Sequence, residues 1–361
     1  MDFFGSLGQS GAMIIKPVSG GGGRGIRVVN EAAGVKDAYE RCTAEAQAAF
    51  GDAGVYVELF MPEARHIEVQ ILGDLAGGLV HLGVCECSVQ RHFQKLVDVA
   101  PPPGLAADLQ QRIIDAAVNF ARSLNYVNAG TFEFLVDPSV AGDQTPFAFI
   151  EANARLEVEH PVIEAVTGVD LVQAQLRLAA GASLADLGLS ESGVATPRGH
   201  AVQARVRMET MAEDGSARPA FGTLAVYEVP SGAGIRTDGF GYAGYRTSLS
   251  FDSLLAKVIA HSASADMADV VARSIRALAE FRVEGVDTNI PFLQHILRHA
   301  DFVAGKVHAE FIDANIVGLV QGTAHRRFVE PIGGAPIMSA LLAAADDSKE
   351  PVGPEGSIGL A

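Results

Sequence analysis

Hydrophobic and polar positions along the chain follow two rhythms, and the changes of rhythm divide it into elements. "AMIIKPV" (12–18) predicts a short strand, and "IRVV" (26–29), after the loop "SGGGGRG", predicts another. Across "NEAAGVKDAYERCTAEAQAAF" (30–50) apolar residues recur at helical intervals in an Ala/Glu-rich background, so a helix is expected. "VYVELFM" (55–61) predicts a strand. "HIEVQIL" (66–72) alternates apolar and polar residues, the pattern of a half-buried strand, and "GLVHLGV" (78–84) continues the sheet. "PPPG" (101–104) stops the chain just ahead of an amphipathic helix, "LAADLQQRIIDAAVNFARSLNY" (105–126). Strands "AGTFEFLV" (129–136) and "FAFIEA" (147–152) flank a turn-rich segment, and "VIEAVTGVDLVQAQLRLAAG" (162–181) reads as helix.

A Gly/Ser/Pro-bearing stretch at about 181–199 marks the best domain boundary. Beyond it, "AVQARVRM" (201–208), "GTLAVYEV" (222–229) and "LLAKVIAH" (254–261) predict strands, with helices near 264–280 and 289–299. That unit is α+β. The tail after about 320, with "EPIGGAP" and "DDSKEPVGPEGSIG", reads as a linker or the start of a further domain.

With 48% hydrophobic and 19% charged residues over 361 positions, the composition is that of a soluble globular protein with proper cores. No uninterrupted apolar run approaches 18 residues, so no transmembrane helix is expected. The opening "MDFFGSLGQSGAM" lacks the basic and apolar regions of a secretory signal. Cys42, Cys85 and Cys87 form no disulfide framework, and Cys85-x-Cys87 is not the usual metal-ligand spacing, so a reducing cytoplasm is expected. A net charge of −16 argues against nucleic acid and anionic membranes as partners. It also requires that any anionic substrate be met by local basic residues.

Two stretches carry chemistry. "SGGGGRG" contains Gly20, Gly22 and Gly25 in a formal G-x-G-x-x-G match, yet β-branched "IRVV" follows where a dinucleotide fold needs a helix. No G-K-[ST] closes the loop either. What remains is a hairpin lid whose backbone N–H groups can close over phosphates, with Lys16 as a nearby positive charge. A plain flexible connector is the alternative. The second stretch is "EANARLEVEH" (151–160). If it stays extended, Glu151, Asn153, Arg155, Glu157 and Glu159 share one face. Glu133 and Glu151 with an amide suit Mg²⁺, Arg155 can orient a small anion, and Glu159 can act as base. A solvated charged edge is the plain reading here.

Together, "IIKPVSGGGGRGIRVV", "RHIEVQIL", "CSVQRHFQK", "AGTFEFLVD", "FIEANARLEVEHPVIEAVTGVDL" and "GIRTDGFGYAGY" resemble the biotin carboxylase family of the ATP-grasp superfamily, in the family's order and over about 13–318. The resemblance implies an α+β ATP-grasp fold with a mobile glycine-loop lid (1–62), an ATP-grasp core (63–195), a biotin carboxylase C-terminal domain (196–318) and a linker or further domain (319–361). It implies that Lys16, Gly22, Gly23, Glu58, Leu59, Met61, His66, Gln90, Lys95 and Leu135 line the ATP site, Glu58 and Leu59 near adenine and Lys95 on the phosphates. Glu133 and Glu151, with Asn153 nearby, would hold Mg²⁺ or Mn²⁺. Arg155, Val158 and Glu159 would bind bicarbonate, Glu159 as general base, and Arg236 would stabilise the biotin enolate. The implied partners are a biotin carboxyl carrier and a carboxyltransferase, in a longer chain or on other subunits, in an oligomer that accepts an acyl-CoA substrate.

Three departures matter. The family begins with an N-terminal domain of over a hundred residues that this sequence lacks, which implies a fragment or a chain inactive alone. His92 and Phe93 stand where the family reads Arg and His. Glu157 stands where it reads Gln, placing a carboxylate two residues from Glu159; pairing with Arg155 or Arg236 is expected to offset it. An ATP-grasp ligase for another carboxylate and a non-catalytic assembly subunit are the competing readings.

Overall fold

The computed structural model describes residue 4 and residues 11–20, 25–139, 145–190, 196–212 and 214–320. Gly22, Gly23 and the predicted tail lie outside the described residues.

β1 (Ala12–Pro17), β2 (Arg27–Val29) and β3 (Val55–Phe60) form an antiparallel sheet in the order β2-β1-β3. Helix α1 (Val35–Phe50) packs on it, and Met13, Ile15, Val29 and Cys42 close the small core between them. Gly51 ends the helix in the left-handed region, where only glycine sits without strain.

The second sheet holds β4 (Arg65–Gly73), β5 (Leu79–Arg91), β6 (Gln94–Ala100), β7 (Asn128–Val136), β8 (Phe147–Asn153) and β9 (His200–Arg207). After β9 come two ribbons, β10 (Glu209–Met211) with β11 (Ala217–Pro219) and β12 (Val226–Glu228) with the later β15 (Arg282–Glu284). β13 (Ile235–Gly239) and β14 (Leu254–Ser262) complete the large sheet, whose order is β13-β14-β9-β6-β5-β4-β7-β8. Every pairing in it is antiparallel. β6 pairs with β9 from Val97↔Ala204 to Ala100↔Ala201. The stretch whose composition marks a boundary therefore returns the chain to the same sheet.

Helices cover the sheet. α2 (Ala107–Ser123) buries Leu109, Ile113, Ile114, Ala117 and Ala121 against Ile67, Val69, Ile71 and Phe132. Full burial of side chains such as Ile113 and Phe132 stabilises by about 2–3 kcal/mol each through transfer from water. α3 (His160–Thr167) and α4 (Leu171–Ala179) pack with Leu72, Leu82, Cys85 and Cys87. α5 (Met267–Glu280), α6 (Ile290–Arg298), the short α7 (Ala300–Val303) and α8 (Phe311–Val320) join a third core with Val97, Val202 and Val258.

The structure differs from the pattern reading in three places. The helix predicted over 162–181 is two helices, because Gly168 adopts a left-handed conformation and Asp170 starts a new helix by accepting from Gln173 N at 2.7 Å. Asp170→Ala is expected to cost about 1 kcal/mol in urea unfolding. β5 runs on to Arg91, through register shifts, and β6 follows after a turn at His92–Phe93 that pattern alone missed. The strand expected over 222–229 is only Val226–Glu228. Among the described residues no helix is long and apolar enough to cross a membrane.

Candidate active site

β4 explains why so many charges meet. Its odd positions Ile67, Val69 and Ile71 pack on α2, so the opposite face carries His66, Glu68 and Gln70. That polar face is not solvated, for Glu68 is 0% exposed. In register, Glu68 lies opposite Glu133 of β7, and Glu133 opposite Glu151 of β8. Like charges directly across a ladder repel, so the row of carboxylates needs cations.

The β5–β6 hairpin supplies one. His92 and Phe93 both have positive φ, 47° and 64°, a two-residue connection of the type that matches strand twist. Neither is Gly or Asn, so the turn is strained beside the site. It sets Gln90 opposite Lys95. Lys95 Nζ bonds Glu68 Oε1, lies 2.6 Å from Glu159 Oε1 and reaches Glu133 Oε1 at 3.5 Å. Burial pulls its pKa down, but Glu68 and Glu159 outweigh this and hold Lys95 firmly charged.

Glu159 caps the start of α3 and points inward, 2% exposed. Its Oε2 accepts from Arg205 Nη2 at 3.0 Å, and Arg205 forks onto Asp98 at 2.9 Å through both Nε and Nη2. Burial raises the Glu159 pKa, but Lys95 and then Arg205 outweigh it, holding the carboxylate well below its usual range. Glu68 goes the other way. Burial, reinforced by Glu133 and Glu159, pushes its pKa well up despite Lys95.

His66 fixes Glu133. Gln90 Nε2 donates to Cys87 O and to His66 Nδ1, both at 2.7 Å, which leaves His66 Nε2–H to donate to Glu133 Oε2 at 2.6 Å. Burial raises the Glu133 pKa, and the His66 hydrogen bond with the Lys95 charge brings it down to about 2. Asn153 Nδ2 donates to Glu133 Oε1 at 2.7 Å and to Glu151 Oε1 at 3.0 Å. Two facing carboxylates that converge on one donor offer the hard oxygen pair that Mg²⁺ takes alongside nucleotide phosphates. Glu133 and Glu151 therefore fit that ion, while Asn153 turns its Nδ2 to them and its Oδ1 to Arg155. His66, although near Glu68 and Glu133, is committed as a hydrogen-bond donor.

β8 ends at Asn153, so the face shared over 151–159 does not persist; Glu157 and Glu159 are presented by a turn instead. Arg155, 65% exposed, donates to Asn153 Oδ1 at 2.7 Å and lies 2.6 Å from Glu157 Oε1. That second contact is an ion pair without hydrogen-bond alignment. Burial, and next the Glu159 charge, raise the Glu157 pKa to about 7 although Arg155 opposes them. Arg236 does not pair with it. Its guanidinium instead bonds Glu164 Oε2 at 2.5 Å and Asp238 at 2.7 and 2.9 Å.

A cavity of about 400 Å³ gathers these groups. Lys16, Glu58, Leu59, Met61, His66, Gln90, Lys95, Leu135, Glu133, Glu151, Asn153, Arg155, Val158 and Glu159 all line it. Lys16 is paired with Glu58 across β1 and β3. Arg236 lies outside the lining. Glu157, Phe93, Arg205 and Arg207 also line the cavity, in which five Lys and Arg side chains face six carboxylates. Glu68, Asp98 and Arg205 escaped the sequence reading. The signal for Glu68 and Arg205 was the alternation of "HIEVQIL" and "AVQARVRM", whose polar positions are buried rather than solvated.

A family model described as carbamoyl-phosphate synthase L chain, ATP binding domain, matches residues 10–187, and the biotin carboxylase C-terminal domain matches 203–314. Pyruvate carboxylase from Aspergillus niger is 46% identical over 302 residues, 83% of this chain and 24% of the relative. The chain thus spans about a quarter of the length of that curated relative. The biotin carboxylase domain dimer of Hydrogenobacter thermophilus 2-oxoglutarate carboxylase, in complex with MgADP, ADP and bicarbonate, is similar with a TM-score of 0.81 at 34% identity, over 88% of this chain and 67% of that one. A single-chain, multi-domain long-chain acyl-CoA carboxylase is similar with a TM-score of 0.69 at 38% identity, over 77% and 28%. With ordered motifs, a matching fold and these likenesses in agreement, the chain belongs to the biotin carboxylase family.

Proposed function

We propose that the cavity carries out the biotin carboxylase half-reaction, in which MgATP activates bicarbonate to carboxyphosphate and biotin on a carrier is then carboxylated. The observation that carries the reading is the clamped base: Glu159 is buried between Lys95 and Arg205 where the nucleotide side and the acidic side of one cavity meet.

Lys16, Gly22, Gly23, Glu58, Leu59, Met61, His66, Gln90 and Leu135 form the nucleotide side, with residues 1–62 as the lid. Lys95 takes the phosphates. Arg155, Val158 and Glu159 hold bicarbonate. A bicarbonate oxygen attacks the γ-phosphorus, the bond to ADP breaks, and Glu159 takes the bicarbonate proton. Carboxyphosphate then divides into CO₂ and phosphate, phosphate takes the ureido proton, and the biotin nitrogen bonds to CO₂. Arg236, held by Glu164 and Asp238, stabilises the enolate. Mg²⁺ or Mn²⁺ on Glu133 and Glu151 supplies charge neutralisation on the phosphates.

Lys95 links nucleotide to base. As long as it lies on Glu159, its charge makes that carboxylate a weaker base. A phosphate that draws Lys95 away removes the largest opposing charge, and the Glu159 pKa rises when the proton must be taken. Catalysis here is positioning and charge management.

The carrier, the carboxyltransferase and the oligomer are parts of this proposal. So is an acyl-CoA acceptor: one similar protein is named for such a carboxylation, others for pyruvate and 2-oxoglutarate. The test is phosphate release from MgATP with bicarbonate, with and without free biotin. Biotin-stimulated release is expected. Release that ignores biotin would favour a ligase for another carboxylate, and none would favour an assembly subunit.

A further inference from the structure

The floor of the cavity has a second layer. Cys85 and Cys87 alternate on β5 and share a face, and Cys85 stands directly across the ladder from Glu68. Both sulfurs and a Glu68 carboxylate oxygen lie within 4.8 Å of one another. Exposure is 2% or less at all three residues. Glu68 Oε1 is bonded to Lys95, while Oε2 is buried and has no hydrogen-bond partner among the described residues. A buried carboxylate with one oxygen unpartnered, grouped with two buried thiols, is a donor set without an acceptor.

We propose that Glu68, Cys85 and Cys87 form a site for a thiophilic divalent cation, Zn²⁺ or Cd²⁺, that reports on and restrains Lys95. Two thiolates with a carboxylate suit these ions and not Mg²⁺, so this layer is chemically distinct from the Glu133–Glu151 pair. Zinc–sulfur bonds of about 2.3 Å place tetrahedral donors roughly 3.8 Å apart, so the groups need close by no more than about 1 Å. Burial, together with the neighbouring Cys85, Glu68 and Asp98, keeps the Cys87 thiol protonated, which is the cost a divalent charge offsets. On binding, both S–H bonds break, two metal–sulfur bonds form, and the thiol protons, with any carboxyl proton on Glu68, pass to water. Glu68 then turns to the ion, and the positive charge on that side holds Lys95 against Glu159.

The chain, first stripped with a chelator, is titrated with Cd²⁺ while the thiolate-to-cadmium charge-transfer absorption is followed. Saturation at one ion per chain is expected, unchanged in Cys42→Ala and weakened at least about tenfold in Cys85→Ser. If Cys85→Ser does not fold by circular dichroism, Cys85→Val serves instead. No absorption in the folded parent, or equal absorption after Cys85 is replaced, overturns the site. The effect on Lys95 rests on the proposed function: Zn²⁺ is expected to inhibit phosphate release at least about fivefold in the parent and not in the Cys85 variant. Absorption without any phosphate release would uphold the site and contradict the function; release that Zn²⁺ leaves unchanged would overturn the restraint on Lys95.

Discussion

Lys95→Met is expected to abolish biotin-stimulated phosphate release and to destabilise the fold by about 3–5 kcal/mol. One ammonium group lies among Glu68, Glu159 and Glu133, all of them buried. Methionine fills much of the same volume, so packing loss is small and the effect reads the charge. Removing one partner of a buried ionic cluster leaves the others uncompensated, which is the costly case. The loss should be greatest at alkaline pH, because protonation relieves the orphaned carboxylates as pH falls. Chemical denaturation at pH 5 and pH 8 checks this. A loss below about 1 kcal/mol at both would mean that the carboxylates find other partners.

Glu157→Gln is expected to leave turnover within about tenfold of the parent and to flatten its pH dependence around neutrality. The carboxyl group, with an ordinary pKa of 4.5, titrates at about 7 in the folded chain. The folded state therefore binds more protons than the unfolded state between those values, so stability falls as pH rises through the window. The group is stabilising below about 4.5 relative to its state above 7, and glutamine removes that slope. Because the Glu157 carboxyl is only partly buried, solvent screening reduces the effect, and about 1 kcal/mol gained at pH 8 relative to pH 5 is expected. Thermal unfolding across pH 5–8 measures it. Equal slopes in parent and variant would contradict the assignment. A turnover gain above tenfold would show that Glu157 detunes bicarbonate binding.

The fold was legible wherever one face of an element met solvent. α2 follows its pattern closely because its apolar stripe is unbroken. The reading weakened where the polar face of a strand was itself buried. In β4 and β9, Glu68, Gln70, Gln203 and Arg205 occupy positions that alternation assigns to water, yet none is more than 7% exposed. Alternation states which residues share a face but not what covers that face. β9 meets β6 only through long-range pairing, so sequence spacing gave no way to bring Arg205 to Glu159.

The site was legible as motifs and not as geometry. Glu133, Glu151, Lys95 and Asn153 line one cavity. Arg155 was the right partner for Glu157, whereas Arg236 is held by Glu164, a residue the motif carried without any sign of that role. The exchange of charges among Glu68, Lys95 and Glu159 depends on burial and on separations of a few ångströms.

The most direct measurement of the whole account follows carbon rather than phosphate. Labelled bicarbonate is incubated with the chain, MgATP and free biotin, and the acid-labile label on biotin is counted. Label that requires ATP, and falls to background in Glu159→Gln, is the expected result. ATP hydrolysis that proceeds without any label on biotin would contradict the account.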